Sequence, residues 1–142
     1  MALPIKNGKI GTPYGKPGKR WSAGHHQGVD FPCKVGTEVL SVDDGVVVEA
    51  GGSPWGPNFG NHQVVVQYKI KTGRFRSKKV YAIYAHCSAT HCRKGSKVKK
   101  GQVIAYSGAE GNVTGPHLHF EVQLQNNWTK TNDIDPQPLL GA

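Results

Sequence analysis

Residues 117–121 read His-Leu-His-Phe-Glu, and the spacing of their polar members is a chemical signal. In an extended strand, residues i and i+2 share a face. His117, His119 and Glu121 then project to one side, while Leu118, Phe120 and Val122 turn to the other and into a core. Two imidazoles on one face can hold a metal ion or move protons. A half-buried strand can also carry them simply as its outward polar residues. A second group lies in the segment His-His-Gln-Gly-Val-Asp-Phe at 25–31. Gly28, β-branched Val29 and Pro32 argue against a helix there, so a bent or extended segment must bring His26 and Asp30 to one point. In extended chain His25 faces away from His26, so at most one of the two serves a common ion. The third group is His86, at the end of the apolar run 80–86. Imidazole nitrogen and carboxylate oxygen bind zinc at about 2.0–2.2 Å, and a catalytic zinc keeps three protein ligands with one position open. His26, Asp30 and one histidine of the 117/119 pair make such a set. The other histidine of the pair and His86 are left to handle protons.

The elements that must position these groups read as short strands. Residues 28–32, 37–52, 62–70, 80–86, the stretch around Lys100-Gly101, and 117–125 are rich in Val, Ile, Tyr and Phe and are broken by Gly, Pro and Asp. Asp44-Gly45 is the strongest hairpin signal and predicts a strand-turn-strand unit across 37–52. A short strand is expected at 9–12 and a turn of helix near 136–139; no other stretch has a helical period. The expectation is a single domain over 1–142, all-β, a small antiparallel β-sandwich or partly open barrel with very little helix. A Gly- and Pro-dense loop at 53–61 carries Trp55 and Phe59, which form either an apolar wall for a ligand or a packed loop.

The chain has 18 Lys and Arg against 9 Asp and Glu, a net charge of +9. Such a field favours polyanions: nucleic acid, anionic membrane or the acidic polymers of a bacterial envelope. No nucleic-acid motif and no long basic helix is present, so a nucleic-acid role is not expected. No segment approaches the ~20 apolar residues that span a bilayer, so membrane insertion is not expected either. The first fifteen residues lack the apolar stretch of a signal peptide, which suggests an excised domain or release by lysis. Of Cys33, Cys87 and Cys92, the latter two close a small loop as a disulfide, stay free thiols, or bind metal with His86 and His91.

Taken in order, 26–32, 35–51, 84–88, 98–122 and 133–140 resemble the M23 family of zinc metallopeptidases, the LytM/lysostaphin type of peptidoglycan endopeptidase. The specific block is Gly-Asn-Val-Thr-Gly-Pro-His-Leu-His-Phe-Glu at 111–121. The resemblance implies one zinc ion held by His26, Asp30 and His119, with His86 and His117 handling protons. His117 is then the base and His86, protonated, the oxyanion donor, or the reverse; Glu121 supports the site. It implies a groove walled by loops at about 16–25, 51–62, 87–95 and 108–115, with Trp21, Trp55 and Phe59 touching substrate. Some relatives carry a tyrosine shortly before the first ligand, where Trp21 is the nearest aromatic here. The implied activity is hydrolysis of peptide bonds in the stem peptides or cross-bridges of peptidoglycan, by a monomer acting at the bacterial cell wall. Anionic wall polymers are further partners, and a phage endolysin released at host lysis is the implied source. A non-catalytic LytM-like wall-binding or activating module is the alternative; the complete ligand set argues against it.

Overall fold

β-branched and aromatic residues recur in runs too short and too often interrupted for helices, and they form strands where they pack on a pleated surface. The computed structural model describes residues 1–140. Its strands are β1 (Gly28–Pro32), β2 (Glu38–Leu40), β3 (Gly45–Ala50), β4 (Val64–Lys69), β5 (Lys79–Ala85), β6 (Ala89–Thr90), β7 (Lys97–Val98), β8 (Val103–Tyr106), β9 (His117–Gln123) and β10 (Asp133–Ile134). All pairings between these strands are antiparallel. One sheet runs β1-β9-β5-β4-β3-β7, with β10 beside the end of β9; the second is β2-β8-β6. The sheets do not close into a barrel, so the sandwich is the form adopted.

The core lies between the sheets. Leu118, Phe120 and Val122 of β9, Val80, Ala82 and Tyr84 of β5, and Val64, Val66 and Tyr68 of β4 pack with Val39 of β2 and Ile104 and Ala105 of β8. Each fully buried apolar side chain of this size contributes about 1.5–3 kcal/mol. A one-residue slip of β9 would trade these for His117, His119 and Glu121, so burial fixes the register that aims the histidines. On the opposite face of the large sheet, Val65, Ile83 and Ala85 form a smaller cluster under Trp55.

The Asp44-Gly45 hairpin does not form. β2 pairs with β8, whereas β3 pairs with β4 and β7. The intervening residues carry the chain from one sheet to the other: Val42 N donates to the Tyr84 hydroxyl at 3.1 Å and Asp44 Oδ1 accepts from Lys100 N at 2.9 Å. Gly45 serves a close approach instead of a turn, since a Cβ there would lie 2.7 Å from Gln67 O and from the Tyr68 ring. The strand expected at 9–12 reduces to one bridge, Thr12 to Asp30. The expected C-terminal turn is the 3-10 segment Gln137–Leu139, and a second, unexpected one spans Pro57–Phe59. Cys33, Cys87 and Cys92 are free thiols. Burial pushes the Cys87 thiol up to about 12, which keeps it protonated and inert.

Candidate metal centre

Pairing of β1 with β9 sets Asp30 directly opposite His119, so the two side chains leave the sheet on the same face. His26 precedes β1 and is tied down by its own N–H to Lys16 O. Its Nδ1 donates to Pro13 O at 3.0 Å, which leaves the Nε2 lone pair free. That Nε2 lies 3.2 Å from Asp30 Oδ1 and 3.2 Å from His119 Nδ1, and the last two atoms are 2.9 Å apart. Tetrahedral ligands of zinc sit about 3.3–3.6 Å from one another. The triad therefore has nearly the spacing of a zinc site, needing only a few tenths of an ångström of expansion. Among the described residues it is the one His/Cys/Asp/Glu group able to hold a metal; neither His91 nor any cysteine joins it.

Behind His119 runs a line of same-face residues along β9. His119 Nε2 donates to Glu121 Oε1 at 2.8 Å, and Gln123 Nε2 donates to Glu121 Oε2 at 2.7 Å. Glu121 and Gln123 are 1% and 0% exposed, so the carboxylate has protein partners where water is absent and fixes the imidazole's orientation. Phe59 stacks on the other side of the His119 ring, 5.4 Å between centroids. Gly28 lies under it: a Cβ would sit 2.5 Å from Phe120 O and 2.8 Å from His119 Cε1. Gly28→Ala should therefore displace the strand and the ring together. We expect zinc affinity to fall at least tenfold and thermal stability to drop by about 1–3 kcal/mol, read by metal titration and thermal unfolding. Unchanged affinity would show that the ring does not depend on this contact.

Electrostatics follow from these contacts. Burial acts to raise the Asp30 pKa, but the hydrogen bond from His119 and the charge of its ring outweigh it and hold the carboxyl far below its usual range. Burial acts to lower the His119 pKa, but hydrogen bonds to Asp30 and Glu121 push it up to about 9. With metal chelated, His119 is thus an imidazolium between two carboxylates at neutral pH. Its folded pKa is above the unfolded value, so the stability it contributes is full below about pH 6.5 and is lost as pH rises toward about 9. Chelated protein should melt at lower temperature at pH 9 than at pH 6, and zinc loading at pH 7.5 should release close to one proton. A melting temperature independent of pH over this window would contradict it.

His86 and His117 flank the triad, their ring centroids 5.0 Å apart. His117 Nδ1 donates to Gly115 O at 2.9 Å, and its Nε2 is 3.6 Å from Asp30 Oδ2. His86 has φ 65°, a left-handed conformation rare outside glycine. That bend at the end of β5 is held by its N–H to Phe59 O and by Nδ1 to Glu110 O at 2.6 Å. Both rings are thus anchored through Nδ1 at the edge of the groove. Burial, joined by the neighbouring His119, lowers the His86 pKa to about 3. That lowering favours the neutral imidazole at His86.

An open groove of about 320 Å³ runs over the triad. Trp21 borders it and lies 5.1 Å from the His26 ring. Phe59 borders it through the stack on His119. Trp55 is both wall and core: it lines the groove, packs on Val65, Ile83 and Ala85, and its Nε1 donates to Asn126 Oδ1. Loops 16–25 and 51–62 wall the groove and 108–115 contributes Asn112, but 87–95 contributes nothing because β6 draws it into the second sheet. Trp128, from the segment after β9, takes that place unforeseen. Its Nε1 donates to Gln27 Oε1, and Gln27 Nε2 donates to Asp133 Oδ1. A lone tryptophan in a polar stretch was the available signal. His25 turns away from the triad to Asp133, as alternation requires.

An antiparallel sandwich that sets two imidazoles and a carboxylate in one open groove has the form of a metallopeptidase. Residues 24–136 match the family model for peptidase family M23, and the chain belongs to that family. It is 37% identical over 136 residues to the glycyl-glycine endopeptidase ALE-1 of Staphylococcus capitis, across 96% of this chain and 34% of that protein. The catalytic domain of lysostaphin from Staphylococcus simulans superposes with a TM-score of 0.77 at 33% identity, covering 94% of this chain and 92% of that one. A zinc-containing peptidase from Vibrio cholerae superposes with a TM-score of 0.69 at 29% identity, covering 94% of this chain and 37% of that one. The chain spans about a quarter to a third of the length of the staphylococcal relatives it matches.

Proposed function

We propose that the protein is a zinc-dependent endopeptidase that hydrolyses peptide bonds in the stem peptides or cross-bridges of bacterial peptidoglycan, acting at the cell wall as a monomer. The observation that carries this reading is the convergence of His26 Nε2, Asp30 Oδ1 and His119 Nδ1 within 3.2 Å of one another, beside two imidazoles whose Nε2 atoms are free. The name of ALE-1 supports an endopeptidase, that of a peptidoglycan DD-endopeptidase of Vibrio cholerae, 38% identical over 101 residues, supports the wall substrate, and that of the zinc-containing peptidase supports the metal.

Zinc held by these three atoms would supply Lewis-acid activation of water and of the scissile carbonyl. The rest of the chemistry belongs to the chain. His117 Nε2 takes the proton of the attacking water and returns it to the leaving amine. It is the better base, because the lowered pKa of His86 makes that imidazole a weak proton acceptor near neutral pH. His86 Nε2 accepts a hydrogen bond from the water or from a substrate N–H and so orients it. Trp21 borders the groove beside the His26 ring, placed to contact a bound peptide. Phe59 holds the His119 ring by stacking, and with Trp55 and Trp128 it shields the bound peptide from water.

A zymogram on bacterial walls tests this reading. Clearing should occur with one equivalent of zinc, vanish with excess chelator and return when zinc is restored. Clearing that persists in chelator, or none at any zinc loading, would overturn it.

A further inference from the structure

The net charge is not spread over the surface. Eleven of the eighteen Lys and Arg residues fall in two segments, 69–79 and 93–100; Asp43 and Glu49 pair with two of them, Asp44 takes the Lys100 N–H, and Asp133 and Asp135 border the same pocket as Arg74. Most of the net positive charge therefore sits at this end of the molecule. The two segments are neighbours because β3 pairs with both β4 and β7. Lys71 reaches Asp43 at 3.2 Å, and Lys100 N reaches the adjoining Asp44. All eleven side chains are exposed. Among the described residues only Lys71 and Lys94 have a carboxylate within 4 Å. Lys69 and Lys79 stand directly opposite each other across β4 and β5, an arrangement that costs stability. The triad belongs to β1 and β9; β7 lies four strand spacings from β9, roughly 19 Å, and Lys79 lies six residues along β5 from Ala85, the partner of His119, roughly 20 Å.

We propose that this basic end of the sheet is a docking surface for the phosphodiester polymers of the bacterial wall. Closely spaced cations without partners gain most from a flexible chain of evenly spaced phosphates, through counter-ion release. The surface is remote enough from the groove for polymer and peptide to be held together. The choice of wall polymer over other polyanions rests on the function proposed above.

The test uses the zinc-loaded protein and soluble poly(glycerol phosphate), which contains no peptide bond, so binding is read without hydrolysis. A variant with Lys69→Gln, Lys79→Gln, Lys97→Gln and Lys99→Gln is compared with the parent. We expect the parent's affinity to fall steeply with salt, and the variant to bind at least about tenfold more weakly at 0.15 M salt with a shallower salt slope. Its hydrolysis of a short soluble muropeptide should match the parent within twofold, and its melting temperature should not fall. Equal polymer binding by parent and variant would overturn the proposal, as would duplex DNA binding the parent tenfold more tightly than the polymer. Loss of muropeptide hydrolysis in the parent would instead count against the endopeptidase reading and leave the binding result to stand by itself.

Discussion

His119→Ala is expected to abolish zinc retention and wall hydrolysis together. The substitution deletes the Nδ1 that lies 2.9 Å from Asp30 Oδ1 and 3.2 Å from His26 Nε2. Two protein ligands remain, too few for the three-ligand set of a catalytic zinc. It also strips Glu121, 1% exposed, of the imidazole it faces. An uncompensated buried carboxylate costs several kcal/mol, so the variant should melt well below the parent. His119→Gln keeps a polar partner for Glu121 and should recover part of the stability without recovering metal. Metal content after dialysis separates the two effects. One retained equivalent of zinc in a folded His119 variant would remove His119 from the ligand set.

His117→Ala should do the opposite with the metal. Its ring is anchored to Gly115 O, and its Nε2 lies 3.6 Å from Asp30 Oδ2, beside the triad and outside it. Zinc content should stay at one equivalent while turnover falls by about a hundredfold or more, the usual contribution of a placed general base. Added imidazole should restore part of the rate by entering the space left behind. Metal loss equal to that of the His119 variant would show that ligand and base are exchanged between the two.

The period-two pattern of 117–123 made β9 and the facing of its polar side readable in advance, because burial of Leu118, Phe120 and Val122 leaves no other register. His25 and His26 diverged as alternation required. What the sequence could not convey were distances across the fold. Nothing local to Asp44-Gly45 says that the flanking strands join different sheets; Lys100 and Tyr84 decide that from far along the chain. The loop at 87–95 read like a groove wall, but pairing of β6 with β8 removes it. Trp128 and Gln27 meet only because β9 and β10 carry residues 124–132 back across the groove. The burial that lowers the His86 pKa was equally hidden, since it comes with a left-handed bend that its residue type does not predict.

The most direct measurement is the zinc K-edge X-ray absorption of protein loaded with one equivalent of metal. The account predicts two imidazoles, with the remaining ligands oxygen at about 2.0–2.2 Å. Three or more imidazoles, or a sulfur at about 2.3 Å, would contradict it.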